Sequence, residues 1–127
     1  MKREVISTDK APAAVGPYSQ AVRVDDFVFA AGQLAIDPAV GKLIEGDVAT
    51  QTRQVLTNLS AVLEAAGSSL DRVVKTTVFL KDMGQFKAMN AVYGEFLHSD
   101  PPARSTVEVA ALPLGALVEI EAIAVAG

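Results

Sequence analysis

The residues of this 127-residue chain that are best suited to chemistry lie in the segment 101–109. Two prolines at its start fix their own φ angles and push the residues before them out of the α region, so the approach to the following strand is rigid. The residues then alternate as in a strand, which places Arg104, Thr106 and Glu108 on one face. A guanidinium on a stiff support matches the two oxygens of a carboxylate. Arg104 is therefore a candidate carboxylate anchor; the alternative is a structural ion pair at a strand edge.

The composition argues against other kinds of catalytic centre. The chain has no cysteine, so it has neither a thiolate nucleophile nor a cysteine metal site. Its one histidine, His98, lies near the predicted end of a helix, where a solvent-facing imidazole is the simpler interpretation. No glycine-rich phosphate loop and no ligand-spaced histidines or carboxylates occur, so neither a cofactor nor a metal is expected. The remaining groups, chiefly Arg104, Glu119 and Glu121, suffice only for a substrate that is already strongly electrophilic.

The charge and hydrophobicity of the chain indicate one globular domain over residues 1–127. Half of the residues are hydrophobic and 20% are charged, as is typical of a chain that buries a core. The formal net charge of −4 disfavours a nucleic-acid partner, because such binding relies on a basic surface. The first residues lack the apolar region of a signal peptide, and no apolar run approaches the ~18 residues of a membrane span. A cytoplasmic, soluble protein without a membrane partner is the expectation.

Hydrophobic periodicity and turn residues predict an α+β fold with the order β-β-β-α-β-α-β-β. The strands are expected at 4–7, 21–24, 27–33, 73–80, 104–109 and 117–125, with a two-residue hairpin loop at Asp25 and Asp26. The helices are expected at 47–66, with Asp47 as N-cap and Gly67 as the stop, and at 82–97, with Asp82 as N-cap. The apolar stripe of the second helix is expected to pack on the core and consists of Phe86, Met89, Tyr93, Phe96 and Leu97. The strand-helix-strand units predict right-handed crossovers, so that two helices pack on one face of a six-stranded mixed sheet.

The opposite face of this sheet has no predicted cover. Several strands carry apolar residues on both sides, as Phe79 and Leu80 show. The uncovered face is expected to expose apolar area together with Arg104 and Glu119, which a lone domain tolerates poorly. A closed homo-oligomer is the expected solution.

Seven stretches of the sequence, in order and nearly from end to end, resemble the reactive intermediate deaminases, also called RidA or YjgF-type proteins. The stretches are 13–21, 31–33, 51–54, 64–67, 74–82, 102–109 and 118–122. The resemblance implies a chorismate-mutase-like fold, assembled as a homotrimer with ligand clefts between subunits. It also implies cofactor-independent hydrolysis of enamines and imines, such as 2-aminoacrylate, 2-iminopropanoate and 2-iminobutanoate, to 2-keto acids and ammonia. The alternative is a non-catalytic trimer, a small-acid binder or a protein-stabilising assembly, that uses the same cleft.

The resemblance also implies roles for individual residues. Arg104 corresponds to the arginine that binds the substrate carboxylate, and Glu119 to the glutamate that positions a water molecule. The implied substrate-contacting positions are Tyr18, Ala31, Gly32, Asn90, Arg104 and Thr106. Ala31 departs from the family, which usually has serine there, so one hydroxyl is missing. Glu119 in an interfacial ion pair and Tyr18 as a plain aromatic wall remain alternatives, and Glu121 is assigned a structural role.

Overall fold

In the computed structural model, which describes residues 2–127, the two helices pack on one face of a six-stranded mixed sheet, as predicted. The strands are β1 (Arg3–Ile6), β2 (Ala21–Val24), β3 (Phe27–Gln33), β4 (Ile36–Asp37), β5 (Lys42–Leu43), β6 (Val73–Leu80), β7 (Ala103–Glu108) and β8 (Val118–Val125). The helices are α1 (Val48–Ala65) and α2 (Phe86–Phe96). Strands β4 and β5 form a separate small hairpin that the sequence did not predict, since two-residue strands carry no readable period.

The main sheet has the strand order β1-β2-β3-β8-β6-β7. Strands β6 and β7 run parallel, whereas the other neighbouring pairs are antiparallel. Because β3 and β6 both run antiparallel to β8, they are parallel to each other, and α1 is the crossover between them. Helix α2 is the crossover between β6 and β7. Because β3, β6 and β7 are parallel and follow one another in the same direction across the sheet, crossovers of one hand place both helices on the same face and leave β7 at the edge.

Helix α1 has the predicted caps at both ends. An Asp47 carboxylate oxygen accepts a hydrogen bond from the Thr50 backbone N–H at 2.9 Å, which satisfies one of the free donors of the first turn. At the other end Gly67 adopts a φ of 82°, and the N–H groups of Gly67 and Ser68 donate to the carbonyls of Glu64 and Leu63. This is the Schellman arrangement, which requires a residue that tolerates the left-handed region.

Helix α2 begins later than predicted. Asp82 does act as a cap, but it accepts from the Gly84 N–H at 2.8 Å and so begins a 3₁₀ turn at Met83–Gln85. The α-helix follows at Phe86. Its predicted apolar stripe is confirmed, since Met89, Tyr93 and Leu97 are buried against the core.

The hydrophobic core lies between the helices and the facing side of the sheet. Its largest fully buried side chains include Leu56, Leu59 and Leu63 of α1, Leu80 of β6 and Ile120 of β8. Burying a leucine or isoleucine contributes about 1.5–3 kcal/mol each, so this layer supplies most of the stabilisation of a single chain. Neither helix within residues 2–127 combines the length and the hydropathy needed to cross a membrane.

The other face of the sheet is uncovered in a single chain, as predicted, and much of it is apolar. Phe27 and Phe29 remain 50% and 46% exposed, and Val5 and Val107 are exposed as well. Phe29 pairs with Ile123 across β3 and β8, so these side chains form one continuous surface. We call it the open face. Apolar patches of this kind commonly mark contact sites for other proteins.

Candidate functional site

Arg104 lies on the edge strand β7, and its side chain is directed at α2. Its Nη1 group donates a hydrogen bond to the Asn90 side-chain oxygen at 2.8 Å. The direction follows from the register, because Arg104 is opposite Thr76 of β6, and the Thr76 side chain is buried on the helix side of the sheet. Arg104 itself is half-buried.

Two aromatic rings of α2 hold the guanidinium of Arg104. The Arg104 Cζ atom lies 4.7 Å from the ring centroid of Tyr93 and 5.5 Å from that of Phe86. Phe86, Asn90 and Tyr93 are spaced four and three residues apart, so they lie on one face of the helix. The Tyr93 hydroxyl in turn shares a buried hydrogen bond of 2.7 Å with the Thr76 hydroxyl. We call Phe86, Asn90, Tyr93, Arg104 and the neighbouring Thr106 the arginine half-site.

Arg104 forms no ion pair with any carboxylate in residues 2–127, where the observed salt bridge is Arg53–Glu95. The alternative of a structural ion pair therefore has no partner within the described part of the chain. A guanidinium has five N–H donors, and Asn90 occupies one of them. The remaining donors are enough to bind both oxygens of a carboxylate.

Glu119 of β8 lies on the open face, opposite Phe79 of β6. The pairing of β3 with β8 is interrupted between Ala30 and Gln33, where Gly32 approaches this carboxylate closely. A Cβ atom on Gly32 would lie 2.5 Å from Glu119 Oε2, so any larger residue would displace the carboxylate. We call Ala31, Gly32 and Glu119 the glutamate half-site.

The pKa of Glu119 is raised above its usual value. Burial of the half-buried carboxyl is the larger cause, and the negative charge of Glu121, two residues further on the same strand face, is the second. A carboxylate whose pKa is raised toward the working pH is a better base than an exposed one. The glutamate half-site can therefore polarise or deprotonate a water molecule.

The two half-sites lie on opposite faces of the sheet. The expectation that Arg104 and Glu119 share the uncovered face is wrong for Arg104, which lies on the helix-covered face. The alternation within each strand was predicted correctly. The relation between the strands depends on the register, which pairs Arg104 with the helix-facing Thr76 and pairs Glu119 with Phe79 on the open face.

Tyr18 belongs to the loop between β1 and β2 and is 52% exposed. Its hydroxyl accepts a hydrogen bond from the Val15 N–H at 3.3 Å, so the ring is folded back onto its own loop. The Gln20 carbonyl accepts from the Ala31 N–H at 2.9 Å, which places the end of this loop beside the glutamate half-site. The Gln20 side chain fixes the loop further through bonds to the backbone of Thr8 and Pro12.

Phe86 and Tyr93 were predicted only as part of the apolar stripe of α2, and their contact with Arg104 was missed. Their spacing from Asn90 was the available signal, because residues four before and three after share its helix face. In residues 2–127 no three histidine or carboxylate side chains lie close enough to hold a metal ion. The chemistry available in the described residues is that of an oriented cation and a half-buried carboxylate.

Comparisons with known proteins give matches over nearly the whole chain. Residues 8–126 match the family model described as Endoribonuclease L-PSP. A RutC family protein of Pyrococcus horikoshii is 55% identical over 96% of this chain and 97% of its own length. The 2-iminobutanoate/2-iminopropanoate deaminase of Bos taurus is 54% identical over 98% of this chain and 91% of its own length.

The crystal structure of RidA from an Antarctic Psychrobacter species superimposes with a TM-score of 0.93 at 50% identity, covering 96% of this chain and 98% of that one. The sequence resemblance, the family model and the fold thus agree over nearly the whole chain. This chain belongs to the reactive intermediate deaminase family, the family that the L-PSP and RutC descriptions also denote.

Proposed function

We propose that this protein hydrolyses the imines of small 2-keto acids, such as 2-iminopropanoate and 2-iminobutanoate, to the keto acids and ammonia. The observation that carries the proposal is Arg104, whose guanidinium is oriented by Asn90 and two rings and has no carboxylate partner in residues 2–127. A substrate carboxylate would supply that partner. The bovine relative, 54% identical, bears the name of this activity.

The proposed mechanism assigns a separate task to each half-site. Arg104 binds the substrate carboxylate with two parallel hydrogen bonds and so fixes the position of the C2 carbon. Glu119 accepts a proton from a water molecule whose oxygen forms a bond to C2, while the C=N π electrons move to nitrogen. From the protonated imine this gives a neutral carbinolamine, and Glu119 returns its proton to the amino nitrogen. The C–N bond then breaks with its electron pair leaving on ammonia, while a lone pair of the hydroxyl oxygen forms the C=O bond of the 2-keto acid and the hydroxyl proton passes to Glu119. General base catalysis typically contributes about 10²–10⁴-fold, which is adequate for an electrophilic imine.

The site requires two copies of the chain. Because Arg104 and Glu119 lie on opposite faces of one sheet, a single chain cannot present both to one small substrate. We propose that the open face of one copy packs against the β7 edge of the next, which brings the glutamate half-site of one to the arginine half-site of the other. A closed ring of such contacts covers every open face. The resemblance to the family implies that the ring has three members.

The remaining substrate contacts follow from this assembly. We expect Tyr18, Ala31 and Gly32 to line the cleft from the side of Glu119, and Asn90 and Thr106 from the side of Arg104. Asn90 has its oxygen engaged by Arg104, so its amide N–H groups remain available to the substrate carboxylate.

The test is a coupled assay in which a threonine dehydratase generates the imine and the early release of 2-ketobutyrate is followed. We expect faster release with this protein than with a heat-denatured sample, and loss of the effect with Glu119→Gln. Light scattering should give a mass three times that of the chain. A non-catalytic acid-binding trimer predicts 2-ketobutyrate binding without acceleration, and this outcome would reject the proposed reaction.

A further inference from the structure

We propose that Phe86 and Tyr93 are positioning residues, which hold the Arg104 guanidinium in the orientation that binds a carboxylate. The proposal rests on the proposed function, since it concerns the arginine half-site. It assigns to the apolar stripe of α2 a task beyond core packing. The two rings contact Arg104 at 5.5 and 4.7 Å, and both belong to the helix that also supplies Asn90.

An arginine on an edge strand would otherwise be mobile. Its long side chain loses rotamer entropy when a ligand fixes it. In this fold the side chain is restrained before any ligand arrives, because Asn90 fixes one N–H and the two ring faces fix the guanidinium carbon. A side chain that is ordered in advance loses less entropy on binding, and therefore binds more tightly.

Tyr93 is the better anchored of the two rings. It is buried, and its hydroxyl shares the 2.7 Å bond with Thr76, which is the residue opposite Arg104 in the sheet. The strand that places Arg104 is thus linked to the helix that orients it. Phe86 is half-buried and has no such bond, so replacing it disturbs the core least.

The decisive variant is Phe86→Leu, with Phe96→Leu as its matched control. Phe96 is a half-buried phenylalanine of the same helix that packs on the core, and the cation–π contacts of Arg104 in residues 2–127 are to Phe86 and Tyr93. We expect Phe86→Leu to weaken 2-ketobutyrate binding and to lower kcat/KM for the imine by about three- to thirtyfold, the range for loss of a cation–π contact. Tyr93→Phe keeps the ring and should change binding by less than about threefold, while Phe96→Leu should leave it unchanged.

Two further measurements separate positioning from general packing. In an Arg104→Ala background, Phe86→Leu should cause no additional loss of binding, because the group on which it acts is gone. The Nε–H group of Arg104, observed by NMR relaxation, should become mobile in Phe86→Leu and stay ordered in Phe96→Leu. Unchanged Nε–H order in Phe86→Leu, or equal loss with and without Arg104, would overturn the proposal. If the wild-type protein lacks deaminase activity, the proposed function fails, and the Nε–H order alone decides the role of Phe86.

Discussion

Subunits that carry different inactivating substitutions should restore each other's activity. Arg104→Ala removes the proposed carboxylate anchor. Truncating one member of a buried charge pair costs about 2–5 kcal/mol, or roughly 30-fold to several-thousand-fold. Glu119→Gln removes the base, which typically contributes about 10²–10⁴-fold. Each variant alone is therefore expected to be nearly inactive. In each of them every cleft lacks one of the two groups.

Because Arg104 and Glu119 lie on opposite faces of the sheet, we expect a mixture of the two variants to recover activity. If a cleft takes Arg104 from one chain and Glu119 from its neighbour, a mixed assembly contains clefts in which both residues are wild type. For equal amounts and random assembly into closed rings, about one quarter of the clefts have this composition. If one chain supplied both residues, no cleft in the mixture would be intact.

The experiment denatures the two variants together, refolds them, and measures imine hydrolysis by the coupled assay. Mixed assemblies are confirmed by mass spectrometry of a tagged and an untagged chain. Tagged and untagged Arg104→Ala chains refolded together serve as the control, because every cleft in that mixture lacks the arginine whichever way the chains assemble. Confirmed mixed assemblies without any recovery of activity would refute the shared cleft.

Three other perturbations follow from the same geometry. Glu121→Gln removes a charge that raises the pKa of Glu119, so the acid limb of kcat/KM should move to lower pH, whereas Glu64→Gln on α1 should leave it unchanged. Gly32→Ala places a methyl group against the Glu119 carboxylate. Imine hydrolysis should fall by about 10²-fold, with little change in melting temperature. Unchanged kinetics would show that the close approach of Gly32 to Glu119 has no role in catalysis. The buried Asn58 amide donates hydrogen bonds to the backbone carbonyls of Leu34 and Ile36, at 3.0 and 2.8 Å. Asn58→Ala should therefore lower the free energy of unfolding by about 2–4 kcal/mol in denaturant titrations. A loss under about 0.5 kcal/mol would contradict this.

Much of the fold could be predicted because the signals were local. The carboxylate of Asp47 and the glycine at position 67 define the ends of α1, and both act through bonds to residues within five positions. The two-residue turn at Asp25 and Asp26 was equally readable, since Val24 and Phe27 pair directly across it and Asp25 adopts a φ of 52°. Such features depend on the chain a few residues away, so sequence patterns are sufficient to find them.

The relation between the strands could not be predicted in the same way. Arg104 and Glu119 each alternate correctly within their strands, but no local signal states which face of one strand matches which face of the other. The register with Thr76 determines on which face Arg104 lies, because the parallel pairing of β6 and β7 places Arg104 opposite the buried Thr76 hydroxyl. The close approach of Gly32 to Glu119 depends likewise on an irregular pairing between β3 and β8. Non-local register is the physical reason that both were missed.

The proposed assembly and the proposed catalysis depend on the same surface. Glu119 shares the open face with Phe29 and Phe79, so a neighbour that covers these rings also removes water from around the carboxylate. Each Å² of apolar area covered contributes about 25 cal/mol to association, before the costs of association are counted. Part of that gain is opposed by the burial of Glu119, whose pKa is already raised by burial in the single chain. In the proposed cleft the neighbour's Arg104 would bring a positive charge that favours the ionised carboxylate, and a bound substrate carboxylate would then neutralise that charge. Glu119 would thus become more basic when the substrate is in place, which is when the proposed mechanism needs its proton affinity.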